Sequence, residues 1–213
     1  MRQSTRLVLR NRRQGTAAVA ALLALVLVAP APASAGCGGT QQYAPKPSQK
    51  RVKGRPPLAI GDSVMLLALE SLARRGFVAN ARGCRGFDEG LALVRKRRSA
   101  DRLPHLVVMA LGADFTISRR QIRTALRLLG RDRVLGLVTP RELGGGSGGD
   151  AANVRWAGRR YPKRVTVIDW VRASRGRRGW FQPDGLHLTY SGAYHFAKLI
   201  SRALPLAGPP REA

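Results

Sequence analysis

The sequence predicts an α/β protein: three layers, α/β/α, around a five-stranded parallel sheet. Three observations predict it. From Pro57 onward, short apolar runs alternate with segments of helical periodicity. One run, Leu106 to Ala110, is apolar without a break, as expected of a strand buried on both faces. Finally, 213 residues with 44% hydrophobic and 23% charged side chains suit one globular domain and exclude a disordered or collagen-like chain.

The elements follow in order. Leu58-Ala59-Ile60 is the first strand and ends in Gly61-Asp62-Ser63. Val64 to Arg75 has helical spacing, with Leu66, Leu67, Leu69 and Leu72 apolar and Gly76 as the stop. Phe77 to Ala81 is the second strand, and Phe87 to Arg98 the second helix. Leu106 to Ala110 is the third strand. Ser118 to Leu129 is amphipathic: Ile122, Ala125, Leu126 and Leu129 form one stripe, arginines lie off it, and Gly130 closes it. Val134 to Val138 is the fourth strand, halted by Thr139-Pro140. A Gly-rich loop, Gly144 to Gly149, leads to a helix over Ala151 to Arg160. Val165 to Ile168 is the fifth strand. Tyr190 to Leu204 is the last helix, with Thr189 as N-cap and Pro205 as the stop.

The N-terminus reads as an export signal. Arg2, Arg6, Arg10, Arg12 and Arg13 precede an apolar run from Ala17 to Ala29 and the small residues Ala33-Ser34-Ala35. The run is short for a membrane span. The Arg12-Arg13 pair is a weak indication of the twin-arginine route, because no apolar pair follows it closely. Two readings stay open at residues 1–36. One is cleavage after Ala35. The other is a lipoprotein-type signal that leaves Cys37 lipidated. Residues 36–56 lack periodicity and read as a flexible linker, residues 57–206 as the domain, and 207–213 as a tail. With only Cys37 and Cys84, neither a disulfide-dense scaffold nor a four-cysteine zinc site is available. Cys84 reads as a small buried hydrophobe ahead of a Cys37–Cys84 disulfide.

Charge is the outlying property. Thirty-eight Lys and Arg against 12 Asp and Glu give +26. That balance fits an anionic envelope polymer as partner, or only an Arg-biased codon usage. Nucleic acid finds no recognition motif and conflicts with export.

In sheets of this kind, sites lie beyond the carboxyl ends of the strands. Ser63 stands at one such end and at the start of a helix. A serine there is either an N-cap or a nucleophile awaiting a base. Asp184-Gly185-Leu186-His187 lies before the last helix; an Asp three residues before a His can orient its imidazole. His105 and His195 read as structural.

Ile60-Gly61-Asp62-Ser63-Val64-Met65 and Asp184-Gly185-Leu186-His187-Leu188-Thr189 together resemble the first and last blocks of the SGNH/GDSL hydrolases. They most resemble the SGNH domains associated with bacterial envelope acyltransferases. The resemblance covers residues 57–206 and implies a flavodoxin-like SGNH hydrolase fold. It implies Ser63 as nucleophile, His187 as general base and Asp184 as its orienting partner, with no cofactor and no metal. It implies an exported serine esterase that acts on O-acylated envelope glycans or small esters through an acyl-serine. Its oxyanion hole would use the Ser63 amide, the amide of Gly83 or Gly86, and the residue at position 114. There the family has Asn, and this chain has Asp114. An ionised Asp accepts hydrogen bonds and cannot donate to an oxyanion, so a catalytically impaired binding module is the alternative. Protonation of Asp114, or Arg85 or Asn153 as substitute donor, would answer the difficulty. Trp180 and Phe181 read as walls of a substrate pocket or as core, and Arg85 as a substrate-binding cation. Extracellular, wall-associated or lipid-anchored location at the outer face of the membrane, and a monomer, complete the expectation.

Overall fold

The computed structural model describes residues 37–142 and 148–208. The segment read as an export signal, residues 143–147 of the Gly-rich loop and the end of the tail lie outside the described residues.

Six strands and six α-helices follow one another. They are β1 (Gln41–Tyr43), β2 (Leu58–Gly61), α1 (Leu69–Arg74), β3 (Val78–Ala81), α2 (Phe87–Ser99), β4 (Leu106–Ala110), α3 (Arg119–Leu129), β5 (Val134–Val138), α4 (Gly149–Arg160), β6 (Val165–Ile168), α5 (Trp170–Ala173) and α6 (Tyr190–Ser201). The sheet order is β1-β3-β2-β4-β5-β6. The five strands predicted from sequence are all present and mutually parallel, as the βα alternation requires. Strand direction therefore places every β-to-α loop at one edge of the sheet.

Side chains alternate across the sheet, so each strand feeds two cores. Leu58, Ile60, Val107, Met109, Leu135 and Leu137 face one layer and pack with residues of α2, α3 and α4. Ala59, Ala79, Ala81 and Val108 face the other and pack with α1 and α6. Small residues dominate this second face, which lets Phe77, Trp170 and Phe196 fill the space above it. Ser118 caps α3: its hydroxyl accepts from Gln121 N–H, and the Gln121 side chain accepts from Ser118 N–H.

Three expectations change. The sixth strand, β1, lies in the segment read as a flexible linker. Its three residues are exposed and carry no alternating pattern, so periodicity could not reveal it. It pairs antiparallel with β3, and Gln42 Oε1 accepts from Asn80 Nδ2 at 3.1 Å and from Arg97 at 3.0 Å. Second, Cys84 is bonded to Cys37 in a disulfide and is not a free buried thiol. That bond occupies the sulfur a lipid would need, so lipidation at Cys37 does not fit this structure. Third, the first predicted helix begins as a 3-10 helix, Ser63–Ala68, before α1. Met65 N–H donates to Asp62 C=O and Val64 N–H to the Asp62 carboxylate, and both bonds tighten this turn. Among the described residues, no helix is long and apolar enough to cross a membrane.

Candidate active site

The turn after β2 is set by two residues with different tasks. At Gly61 a Cβ would lie 2.4 Å from Met65 Cβ, so only glycine lets the turn fold back. Asp62 is 2% exposed. One of its oxygens accepts from Val64 N–H at 3.1 Å, the other from Ala113 N–H at 3.1 Å. It thus ties the Ser63 turn to the loop after β4. Burial pushes the Asp62 carboxyl up to about 6, and the Asp114 charge adds to this, against the two N–H bonds. In the sequence, Asp62 stands within Gly61-Asp62-Ser63 with no role of its own assigned. Its place directly before a helix start was the available signal.

The other half is a closed loop between α5 and α6. Phe181 and Leu188 bridge as a β-pair, Gln182 N–H donates to His187 C=O at 2.8 Å, and Thr189 N–H donates to Trp180 C=O at 3.0 Å. Gly185 turns at φ 69°. Thr189 caps α6 as predicted, accepting from Gly192 N–H at 3.2 Å. Gly192 is required, because a Cβ there would sit 1.9 Å from Trp180 O. Inside this loop, Asp184 Oδ1 accepts from the N–H groups of Leu186 and His187, each at 2.9 Å. Its Oδ2 lies 2.6 Å from His187 Nδ1. Burial pulls the Asp184 carboxyl up, but these three hydrogen bonds outweigh it and hold the group below the usual carboxylate range.

The two halves meet. His187 Nε2 lies 3.0 Å from Ser63 Oγ, across 124 residues of sequence. Hydroxyl, imidazole and carboxylate thus form one chain, with the carboxylate fixed by backbone. An imidazole so held can take a proton from the hydroxyl on one nitrogen while its positive charge is stabilised at the other. Ser63, Asp184 and His187 are half-buried, so a substrate can reach them.

The remaining predicted site residues separate. Gly83 lies against Cys37, where a Cβ would meet the Cys37 carbonyl oxygen at 2.7 Å. Gly86 precedes α2 and has Phe115 beside it, the neighbour of Asp114. Asp114 is exposed and close enough to Asp62 for its charge to be felt there. Arg85 is corrected from substrate-binding to structural. It is 6% exposed and donates to the carbonyls of Gly61 and Asn80 at 3.1 and 2.9 Å, holding the ends of β2 and β3. Asn153 is also committed: it donates to Ile117 C=O and accepts from Arg119, so it does not stand in for the missing amide. Trp180 stacks between Trp170 and His195, at centroid separations of 5.5 and 4.1 Å. It fixes the loop and is not a pocket wall, while Phe181 is buried against Trp170 and has the Arg141 guanidinium over its ring, 4.3 Å from the centroid. A cavity of about 20 Å³ lies under the Ser63 turn, lined by Asp62, Val64, Arg141 and Leu186 among others, but not by Ser63 or His187. Arg141 had no signal in the sequence. Among the described residues, no cluster of three His, Cys, Asp or Glu could hold a metal ion.

No protein-family model matches the chain. Over 160 residues it is 31% identical to a protein of Staphylococcus aureus (strain COL) described as "Putative O-acetyltransferase". This match covers 70% of the chain but only 25% of that relative, so the chain corresponds to about a quarter of it. Among solved structures it is similar to the C-terminal catalytic domain of the Streptococcus pneumoniae peptidoglycan O-acetyltransferase A, with TM-score 0.63 and 24% identity, covering 72% of this chain and 94% of that one. It is also similar to a protein from Slackia heliotrinireducens described as "a putative SGNH hydrolase", with TM-score 0.54 and 13% identity, covering 71% of this chain and 100% of that one. The chain therefore has the fold of the SGNH/GDSL hydrolases.

Proposed function

We propose that the chain is an exported serine esterase that acts on O-acyl groups of envelope glycans or related esters. One observation carries this reading: the Ser63–His187–Asp184 chain, with contacts of 3.0 and 2.6 Å. Ser63 Oγ attacks the acyl carbonyl as His187 Nε2 takes its proton. The carbonyl electrons move to oxygen, where the Ser63 N–H and an N–H at the start of α2 receive them; of the two candidate glycines, Gly86 is the one on the Asp114 side. The tetrahedral intermediate collapses, the leaving alkoxide takes the proton from His187, and the acyl group stays on Ser63. Water, or a second hydroxyl, then attacks the acyl-serine with His187 again as base, which restores Ser63 and releases the acyl group. The envelope setting is supported by the N-terminal signal, by the Cys37–Cys84 disulfide, which suits an oxidising compartment, and by the relatives' descriptions.

The test is hydrolysis of p-nitrophenyl acetate by residues 36–213, which retain Cys37, against the Ser63→Ala variant. Turnover that falls to background in the variant is expected. Equal turnover in both proteins, or none in either, would sink the proposal for this ester. One residue favours a second reading, a binding module of the same fold: Asp114 places a carboxylate where an oxyanion donor is needed.

A further inference from the structure

A cleft of about 560 Å³ opens beside the loop that carries Asp184 and His187. Its volume falls in the range of small-ligand sites, roughly 300–1,000 Å³. One wall is the loop itself, through Gln182, Pro183 and Gly185. The other walls supply three guanidinium groups, from Arg141, Arg177 and Arg178, and no carboxylate. Among the described residues, none of the three arginines is in an ion pair.

Arg141 is held in place. It donates to Gly185 C=O at 3.3 Å and to Ser174 Oγ at 3.2 Å, and it lies over the Phe181 ring. A guanidinium has five N–H donors, so these two bonds fix its plane and leave donors for a ligand. Arg141 also lines the small cavity under the Ser63 turn. The cleft therefore shares Arg141 with the cavity lined by Asp62 and Val64, the chain neighbours of Ser63, and shares the Gln182–Gly185 segment with the loop that carries Asp184 and His187. Arg177 and Arg178 are exposed on the far side, on a loop that crosses Gly176. Three forked cations with an apolar floor of Phe181 and Pro183 match a ring or polyol unit that bears an anionic oxygen group.

We infer that this cleft binds a carboxylate- or phosphate-bearing unit of the polymer whose ester reaches Ser63. The inference rests on the esterase reading for its purpose, since it makes the substrate anionic, but its binding test does not depend on turnover. A protein this basic attracts polyanions everywhere, so the test needs an internal control. A second arginine-rich cleft provides it: Arg123, Arg127, Arg131 and Arg164 line a space of about 450 Å³ around the end of α3.

The experiment is calorimetric titration of the Ser63→Ala protein, residues 36–213, at near-physiological salt. The probes are hexagalacturonate for carboxylate, a glycerol-phosphate oligomer for phosphate, and chitohexaose as neutral glycan. At least one anionic probe binds more tightly than chitohexaose. Arg177→Ala/Arg178→Ala weakens that binding about tenfold or more, as the loss of two charge-assisted contacts implies. Arg123→Ala/Arg127→Ala changes it less than about twofold, the behaviour of a site that does not contact the ligand. The stronger of the two anionic probes identifies the group recognised. Equal weakening in both double variants, no preference over the neutral glycan, or no binding of either anionic probe would overturn the inference. Failure of p-nitrophenyl acetate hydrolysis would instead count against the esterase reading and leave the binding result standing.

Discussion

Asp114 is the residue on which the chemistry turns. Its carboxylate lies in the exposed part of the loop after β4, one residue beyond the Ala113 N–H that Asp62 engages. Neither substitute considered from sequence replaces it, because Arg85 and Asn153 are both spent on backbone carbonyls. In the proposed esterase, an oxyanion beside Ser63 would then rely on backbone N–H groups and would lie near a negative charge. Restoring a donor reverses both effects. Asp114→Asn is expected to raise kcat/KM for p-nitrophenyl acetate by about 10-fold or more, within the ~10²–10³ that one such donor supplies. A variant no faster than wild type would show that position 114 does not face the reacting oxygen. At this scale Ser63, Asp184 and His187 were expected through resemblance, because their two motifs match the first and last blocks of the SGNH/GDSL hydrolases; taken singly, Gly61-Asp62-Ser63 reads as a helix cap and Asp184-Gly185 as a turn. Arg141 and Asp62 were not expected, because their roles come from burial and from contacts 30 to 50 positions away in the chain.

At the scale of elements, the parallel strands were readable because burial on both faces leaves runs such as Leu106–Ala110 almost wholly apolar. β1 was not, because a short exposed edge strand needs only backbone pairing and carries no hydrophobic pattern. Besides its pairing with β3 and the Gln42 bonds, it is tied down by the disulfide, which joins its approach at Cys37 to the loop after β3 at Cys84, 47 positions on. Cys84 adopts φ 51°, so that loop takes a left-handed step in a non-glycine residue. The same loop leads into Gly86 and α2, beside Asp114. Closing a loop of this length restricts the unfolded chain by ~4 kcal/mol in the entropic account, and typical measured values are about 2–4 kcal/mol. Cys37→Ser/Cys84→Ser is therefore expected to lose about 2–4 kcal/mol in urea unfolding monitored by tryptophan fluorescence. If the midpoint and slope are those of wild type, the bond does not constrain the domain.

For the whole molecule, positive charge is abundant, and among the described residues Glu70, Glu89, Asp101 and Asp169 each pair with an arginine, Asp169 with Arg155 at 3.0 Å. Asp62 differs from them: it is buried, its hydrogen-bond partners are N–H groups, and the Asp114 charge adds to the effect of burial. A carboxyl raised from 3.8 to about 6 in the folded state takes up a proton on folding between those values. Its ionisation therefore destabilises the fold above about pH 6, and stability returns as pH falls through about 6 toward 4. Asp184 and Asp169 act oppositely: their carboxyls are held low in the fold, so their contribution is present above the unfolded value and is lost at more acid pH. His105 also opposes Asp62, because burial and Arg133 lower its affinity for a proton and the unfolded chain charges first on acidification. A raw pH profile mixes these effects, whereas the difference between wild type and Asp62→Asn isolates Asp62. That substitution keeps an oxygen for one N–H but leaves the other facing an amide, so the variant starts less stable in a way that does not depend on pH. The unfolding free energy of wild type minus that of Asp62→Asn is expected to rise by about 2 kcal/mol between about pH 7 and about pH 4.5. A difference that stays flat would mean that Asp62 titrates as an ordinary carboxylate. The bond from Ala113 N–H to Asp62 would then tie together two loops of the site without storing any cost of burial.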